Sequence, residues 1–272
     1  MSEHVNISAY EGVESYSTFN NKTFVEYCDN KISECDKHIA FIKNNINNND
    51  LGVVIEVGSG NGKLLFALER DGFITKGTGF ELSNSRVFFA NKFGALFNSK
   101  IVEIICGNFL DQDIEDNSTD LIIAVDLVIQ LISAISDQEE SNFLKKVHEA
   151  LKPGGYFLIE LMDFSNLIKM HGINNGDLKI WKEFDLSDPW QFGLDDFMIE
   201  GDNINWDKRF IARDRKISNS SFSNILKHYT FDSLAKKLVS VGFSVSKIKK
   251  YQYWDSKGDI LEDEFIILAE KD

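Results

Sequence analysis

The chain has 272 residues, of which 43% are hydrophobic and 26% are charged. This composition is typical of a folded globular protein and excludes a disordered or fibrous chain. The formal net charge of -14 repels nucleic-acid phosphates and anionic lipid, so we expect neither a nucleic-acid substrate nor a membrane partner.

Targeting and metal-binding patterns are both missing from the sequence. The first residues, MSEHVNISAYEGVESY, have no basic start and no apolar run, and no segment approaches the roughly 20 apolar residues of a membrane span. We therefore expect a cytoplasmic protein. The three cysteines, Cys28, Cys35 and Cys106, and the five histidines show no metal-ligand spacing, so we expect free thiols and no metal. No oligomeric state follows from the sequence.

In chain order, apolar residues first recur at helical spacing between Thr23 and Asn47, which predicts one or two helices. From Leu51 onwards, short apolar strands alternate with helical segments, a pattern typical of a parallel sheet covered by helices on both faces. The predicted strands are residues 53–57, 75–81, 101–106, 121–125 and 156–161, and the predicted helices between them are residues 62–69, 83–97 and 137–151.

The alternation of strands and helices stops after Leu161. A stretch of about sixty residues, longer than an ordinary connection, precedes a helical pattern at residues 231–241 and predicts an insertion. Two apolar runs near the end of the sequence, GFSVSKIKKYQYW and DEFIILAEKD, are joined by a polar loop that contains Gly258. They predict an antiparallel hairpin at one side of the sheet.

A glycine-rich turn, EVGSGNG at residues 56–62, follows the first predicted strand. Such a turn lets a ligand approach the backbone at the carboxyl ends of the strands, where open α/β sheets bind their ligands. The dinucleotide fingerprint would place a glycine at the position of Lys63, and Glu56 would repel a pyrophosphate. The sequence therefore favours a ligand with a positive charge over a nicotinamide dinucleotide.

This turn resembles the first motif of the class I S-adenosylmethionine-dependent methyltransferases. Further segments resemble the family's later motifs in the same order: TGFELS at 78–83, CGNFLD at 106–111, DLIIAVD at 120–126, LKPGGYFLI at 151–159 and YTFDSLAKKLVSVGFSV at 229–245. The resemblance covers about residues 50–162 and 229–270. It implies an α/β fold with a Rossmann-like, doubly wound, seven-stranded sheet, mostly parallel with an antiparallel last strand, and an inserted lid after strand five.

The resemblance also implies S-adenosylmethionine as the cofactor. The cofactor-binding residues that it implies are Glu56, Gly58, Ser59, Gly60, Gly62, Glu81, Leu82, Asn108, Phe109 and Asp126. Glu81 would accept both ribose hydroxyls, and Asn108 and Phe109 would contact the adenine. Structural interpretations stay open: Glu81 as a carboxylate at a helix N-terminus, Asp126 as a cap at a strand end and Phe109 as a core side chain.

Methyl transfer requires alignment of the acceptor, exclusion of water and, for a protonated acceptor, removal of a proton. Asp126 and Asp163 are the preferred candidates for orienting the acceptor or taking its proton. Candidates for contacting the substrate are Tyr16, Gln130, Trp181 and Trp190, and Tyr10 and Glu160 are further possibilities.

The predicted insertion carries the information about the acceptor. Between residues 177 and 207, nine acidic residues and six aromatic residues are interleaved with two lysines. Acidic and aromatic side chains suit a cationic amine, although a solvated acidic loop anchored by aromatic residues fits the same pattern. The basic residues at 208–216 suit either an anionic group on the substrate or ion pairs with the acidic stretch.

We therefore expect a methyltransferase that acts on a small molecule, resembling amine and amino-sugar methyltransferases, with N-methylation slightly favoured over O-methylation. The expected divisions are an N-terminal helical lid (1–50), a cofactor-binding core (51–162), a substrate-binding insertion (163–228) and the end of the core (229–272). Three alternatives remain: a protein or peptide methyltransferase, a nicotinamide-dependent oxidoreductase and a non-catalytic S-adenosylmethionine-binding subunit.

Overall fold

The computed structural model describes residues 10–11, 14, 16–46, 51–165, 177–216, 218–254 and 260–272. Residues 1–9 of the expected lid, residues 166–176 of the expected insertion and Gly258 of the expected hairpin loop lie outside the described residues. Within these ranges, no helix has the length and apolar character needed to span a bilayer.

Helices and strands alternate along most of the chain. Two helices come first, α1 (Asn21–Ser33) and α2 (Asp36–Asn45). The α/β part follows, with β1 (Val53–Val57), α3 (Lys63–Arg70), β2 (Lys76–Glu81), α4 (Asn84–Leu96), β3 (Val102–Cys106), β4 (Thr119–Ala124), α5 (Val128–Ile135), α6 (Asp137–Ala150) and β5 (Leu151–Asp163). The insertion contains β6 (Asp177–Glu183), β7 (Trp190–Glu200), β8 (Asn203–Ala212) and β9 (Ser220–Lys227), and α7 (Phe231–Val241), β10 (Phe243–Trp254) and β11 (Ile260–Lys271) end the chain.

The main sheet has seven strands in the order β10-β11-β5-β4-β1-β2-β3. Strands β1 to β5 pair in parallel, whereas β11 runs antiparallel to both of its neighbours. This arrangement confirms the expected Rossmann-like sheet with an antiparallel last strand. Because β1 pairs with β2 on one side and β4 on the other, the strand order reverses at β1, and the carboxyl ends of these strands form the crevice where such sheets bind ligands.

Hydrophobic residues cover both faces of the main sheet. On one face, Val54 and Leu158 pack with α1 to α4, including the fully buried Phe89 of α4. On the other face, Ile55 and Phe157 pack with α6 and α7. Because both faces are covered, the central strands are apolar at almost every position, as expected for strands of a buried parallel sheet.

Two local features differ from the sequence-based prediction. Helix α5 was not predicted; it begins after Asp126 and Leu127, whose φ angles of 55° and 70° turn the chain sharply at the end of β4. Strand β5 begins at Leu151, earlier than predicted, because residues 152–155 form an irregular extension in which the pairing with β4 shifts register.

The insertion folds as a separate antiparallel sheet in the order β6-β7-β8-β9. One part of this sheet packs on the core, where Phe197 contacts Phe164 with ring centroids 5.2 Å apart. A second part forms a small cluster of Trp190, Phe210 and Phe222. This cluster lies next to Tyr10 of the N-terminal segment, by which we mean the residues before α1. The insertion sheet therefore lies against the core and meets the N-terminal segment.

Candidate active site

A cavity of about 330 Å³ lies at the carboxyl ends of β1, β2 and β4. Its walls come from three parts of the chain: the loops after the core strands, the N-terminal segment together with α1, and the insertion sheet. The volume falls within the range of roughly 300–1,000 Å³ that is typical of small-molecule sites.

All predicted cofactor-binding residues except Gly62 line this cavity. They are Glu56, Gly58, Ser59, Gly60, Glu81, Leu82, Asn108, Phe109 and Asp126. Gly62 has a φ of 74° and precedes α3, and a β-carbon at this position would lie 2.8 Å from the ring of Phe66. Its role in the structure is therefore to allow the turn into α3.

The carboxylate of Glu81 holds the glycine-rich turn in place. It is buried, and its Oε2 accepts a hydrogen bond from the backbone N–H of Gly60 at 2.8 Å. Its Oε1 accepts one from the backbone N–H of Ser83 at 2.9 Å, and Nη1 of Arg86 lies 3.7 Å from Oε2. Glu81 thus fixes the turn after β1 relative to the start of α4.

Glu56 lies deeper in the same cavity and is only 3% exposed. Its Oε2 accepts no hydrogen bond from the described residues, and the same holds for the buried hydroxyl of Ser59. Burial, together with the nearby negative charge of Asp126, raises the pKa of Glu56 to about 8. A buried acceptor without a donor is costly, so a cationic ligand group next to Glu56 would be stabilised.

Two residues that the resemblance places near the adenine close one wall of the cavity. The ring of Phe109 is 2% exposed and packs against Phe80 and Phe143, with centroid distances of 5.9 and 5.8 Å. The side-chain oxygen of Asn108 accepts the backbone N–H of Leu110 at 3.0 Å and shapes the turn after β3. Phe109 therefore belongs to the core and also lines the cavity.

The N-terminal segment contributes a buried carboxylate, Glu14, that the sequence patterns did not indicate. Its Oε1 accepts hydrogen bonds from the Tyr27 hydroxyl at 2.5 Å and from Nδ2 of Asn61 at 2.8 Å, and its Oε2 lies 3.2 Å from Nε of Arg86. Burial opposes ionisation, but the guanidinium of Arg86 and these donors hold the pKa of Glu14 below its usual range. Glu14 thereby joins the N-terminal segment to the glycine-rich turn and to α4.

The insertion contributes three rings and one carboxylate to the cavity. Phe210 lies between Phe184 and Trp190, with centroid distances of 6.0 and 5.3 Å. Asp188, in the loop between β6 and β7, is 8% exposed, and burial is the main cause that raises its pKa to about 6. Of the predicted substrate-contacting residues, Trp190 of the insertion and Tyr10 of the N-terminal segment line the cavity.

Asp126 stands at the edge of the cavity. Its side chain is 70% exposed and its Oδ2 lies 3.8 Å from Nζ of Lys63. Its backbone N–H donates to Oε2 of Glu160 at 2.9 Å. Glu160 itself is buried and its Oε1 pairs with Nζ of Lys37 at 2.9 Å, so it supports the turn at Asp126 and does not line the cavity.

Four other predicted site residues lie outside the cavity. The amide of Gln130 is buried and bonds to the backbone of Met162 and Lys227, so it fastens β9 to β5. Asp163 accepts the backbone N–H of Ser165 at 2.9 Å. The side chains of the remaining two contact other rings: Tyr16 meets Phe24 edge to face and Trp181, which is 56% exposed, contacts Phe192.

Across the described ranges, no group of three or more histidine, cysteine, aspartate or glutamate side chains is placed to hold a metal ion. The cavity lining contains four carboxylates (Glu14, Glu81, Asp126 and Asp188), the largely protonated carboxyl group of Glu56 and three cationic side chains (Lys31, Lys63 and Arg86). The lining is therefore net acidic, which favours ligands that carry positive charge.

Solved structures share this architecture along almost the whole chain. The CcbJ methyltransferase from Streptomyces caelestis has a TM-score of 0.70 at 14% identity, covering 98% of this chain and 99% of the other. An S-adenosylmethionine-dependent methyltransferase from Clostridium acetobutylicum has a TM-score of 0.66 at 17% identity, covering 94% and 93%. The glycopeptide N-methyltransferase MtfA, complexed with S-adenosylmethionine, has a TM-score of 0.54 at 17% identity, covering 89% and 94%. At these identities the likeness shows a shared fold.

The family is shown by the sequence itself. No curated protein matches the chain. Residues 48–187, more than half of the 272, match a protein family described as methyltransferase domain. This range includes the glycine-rich turn, Glu81, Asn108, Phe109 and Asp126. The chain therefore belongs to the methyltransferase domain family and is an S-adenosylmethionine-dependent methyltransferase.

Proposed function

We propose that this protein binds S-adenosylmethionine on the core side of the cavity and transfers its methyl group to a nitrogen of a small molecule bound under the insertion sheet. The observation that carries this proposal is the composition of the cavity: strand-end loops of the core form one side, and Phe184, Asp188, Trp190 and Phe210 of the insertion form the other.

The residues on the core side fit the cofactor. The unpartnered oxygen of Glu56 and the unpartnered hydroxyl of Ser59 are suited to an ammonium group. Each oxygen of Glu81 accepts one backbone N–H, and since a carboxylate has about four lone-pair sites, capacity remains for the ribose hydroxyls. Leu82, Asn108 and Phe109 would border the adenine. When bound there, S-adenosylmethionine supplies a methyl group on a positively charged sulfur.

The chain's own contribution to transfer is positioning and exclusion of water. The Glu14 and Arg86 pair lies beside the glycine-rich turn, and Tyr10 reaches from the N-terminal segment to the insertion, where its hydroxyl accepts a hydrogen bond from Asn224 at 2.8 Å. Asp126, at the rim, is the group that we propose orients the acceptor. The carboxylate of Asp163 already accepts the backbone N–H of Ser165, so the proposal does not depend on it.

The choice of a small amine as acceptor rests on the cavity walls. A cavity covered by a sheet and a terminal segment suits a small molecule, whereas a peptide would require an open groove. Aromatic faces and excess carboxylates attract a cationic amine more strongly than a neutral alcohol. The MtfA structure, whose protein is described as a glycopeptide N-methyltransferase, supports the choice of nitrogen.

Transfer of a radiolabelled methyl group to matched pairs of compounds tests this function. The panel contains amino sugars, cycloalkyl amines and arylalkyl amines, each with the hydroxyl compound of the same skeleton, together with a lysine-rich peptide. We expect label on the small amines. Label on hydroxyl compounds alone, or on the peptide alone, would contradict the proposal.

A further inference from the structure

We propose that Asp188 binds the ammonium group of the acceptor and accepts the proton that its nitrogen loses before methylation. This inference rests on the proposed function, because it assigns a residue to the acceptor side of the same cavity. The acceptor is a primary or secondary amine attached to an apolar or ring-shaped body.

Asp188 has one carboxylate oxygen available to a ligand. Its Oδ1 accepts the backbone N–H of Trp190 at 2.9 Å, whereas its Oδ2 accepts no hydrogen bond from the described residues. The residue lines the cavity and is 8% exposed. A carboxylate oxygen of a largely buried residue that lines a cavity is stabilised by a ligand that brings a donor.

The loop that carries Asp188 is held firmly. Arg213 donates to the backbone carbonyls of Phe184 and Asp185 at 3.0 and 2.9 Å, and further to those of Asp188 and Trp190 at 3.3 Å each. On the other side, Nδ2 of Asn30 in α1 donates to the hydroxyl of Ser187 at 2.8 Å. These contacts fix the position of the carboxylate before a ligand arrives, which is what catalytic positioning requires.

The other carboxylates of the cavity have different partners. Glu81 holds two backbone N–H groups and Glu14 holds Tyr27, Asn61 and Arg86. The mostly exposed side chain of Asp126 faces Lys63, and Glu56 lies at the glycine-rich turn. Asp188 alone among these five acidic side chains belongs to the insertion, beside the rings of Phe184 and Trp190. A carboxylate next to aromatic faces is the combination that recognises an alkylammonium group.

The acceptor ammonium passes one proton to the carboxylate of Asp188, which becomes a neutral carboxyl group. The freed lone pair forms the bond to the methyl carbon while the carbon–sulfur bond breaks and its electron pair stays on sulfur. The product is an N-methylated ammonium ion, and the proton on Asp188 leaves to solvent.

The environment of Asp188 suits this role near neutral pH. Burial raises the pKa to about 6, with Lys31 of α1 opposing the rise and the negative charges of Glu14 and Glu34 adding to it. The negative charge of Asp188 in turn contributes to the raised pKa of the Tyr27 hydroxyl in α1. At pH 7.5 the group is mostly ionised, yet its basicity is closer to the operating pH than that of an exposed aspartate, which favours proton transfer.

The test compares the Asp188→Asn variant with Asp185→Asn, since Asp185 is an exposed acid in the same loop that does not line the cavity. Calorimetry measures binding of cyclohexylamine and of cyclohexanol to each protein saturated with S-adenosylhomocysteine, between pH 5 and pH 8. We expect wild type and Asp185→Asn to prefer the amine about tenfold at pH 7.5 and to lose the preference as the pH falls through about 6. Asp188→Asn should show no preference at any pH.

Three results would overturn the assignment: no amine preference in the wild type, a preference retained by Asp188→Asn, or a large loss of S-adenosylhomocysteine affinity in that variant, which would place the carboxylate at the cofactor. Failure of the wild type to bind S-adenosylhomocysteine at all would instead contradict the proposed function.

Discussion

The guanidinium of Arg86 fills the space beside Gly60, so that a β-carbon on Gly60 would overlap Nη2 of Arg86. Gly60 also has a φ of 55°, in the left-handed region. We predict that Gly60→Ala displaces Arg86 from Glu14 and strains the turn, and that it weakens S-adenosylmethionine binding at least about tenfold. Calorimetric titration measures the change.

Gly72→Ala is the matched control for this variant. Gly72 has a φ of 70°, but apart from its chain neighbours no atom of the described residues lies within 4 Å of the position of its β-carbon. The Gly72→Ala variant should lose about 1 kcal/mol of stability from backbone strain and keep the wild-type affinity for S-adenosylmethionine. Equal affinities for all three proteins would show that the turn does not contact the cofactor.

Glu81→Gln replaces one carboxylate oxygen with an NH2 group, which cannot accept a hydrogen bond, so the backbone N–H of either Gly60 or Ser83 loses its acceptor. We expect the variant to lose about 1–3 kcal/mol of stability and to bind S-adenosylmethionine at least about tenfold more weakly. Thermal unfolding and calorimetry measure the two effects. Glu103→Gln, at an exposed position on the neighbouring β3, provides the control. If the two variants have the same stability and the same affinity, Glu81 does not contact the cofactor.

The buried carboxyl of Glu56 predicts a pH-dependent stability. Because its pKa is raised from 4.5 to about 8 in the folded protein, the protonated form is favoured by folding. The stability that Glu56 contributes is therefore fully present below about pH 4.5 and is lost as the pH rises towards 8. Glu56→Gln should remove this loss, so the variant gains stability relative to wild type between pH 5 and pH 8.5. Denaturant unfolding at these pH values measures the difference in unfolding free energy. If the unfolding free energies of the two proteins depended on pH in the same way, the pKa of Glu56 would not be raised.

Two tryptophans of the insertion allow the acceptor side of the cavity and the outer surface of the insertion to be tested separately. Trp190 lines the cavity and is 4% exposed, whereas Trp181 is 56% exposed and lies outside it. Trp190→Ala should enlarge the acceptor region and lower methyl transfer at least about tenfold, with S-adenosylhomocysteine affinity within about twofold of wild type. Trp181→Ala should leave both unchanged. If the two variants transfer methyl equally well, the insertion does not bind the acceptor.

The core side of the site could be predicted because each of its residues lies at or just after the end of a strand. Glu56, Glu81 and Asn108 come at the ends of β1, β2 and β3, and the carboxyl ends of parallel strands meet at one edge. Strand order and local motifs together therefore bring these residues to one cavity without any knowledge of side-chain packing.

The other side could not be predicted, because packing between distant segments determines it. Glu14 and the loop of Asp188 are held by contacts with α1, α4 and Arg213, and no local pattern marks either residue. Trp181 and Trp190 looked equivalent in the sequence, but strand register and the loop at 184–189 place only Trp190 at the cavity. The apolar run of α5 gives no periodicity that separates a helix from a buried strand, so the inward bonding of Gln130 to β5 was not visible.

Binding of S-adenosylmethionine in the cavity is the property on which the proposed function depends. Calorimetric titration of the wild-type protein with S-adenosylmethionine, S-adenosylhomocysteine and NAD in parallel tests it most directly. We expect saturable binding of the first two and none of NAD, since Glu56 and Lys63 stand where a pyrophosphate site would need a neutral residue and a glycine. Binding of NAD alone, or of none of the three, would contradict it.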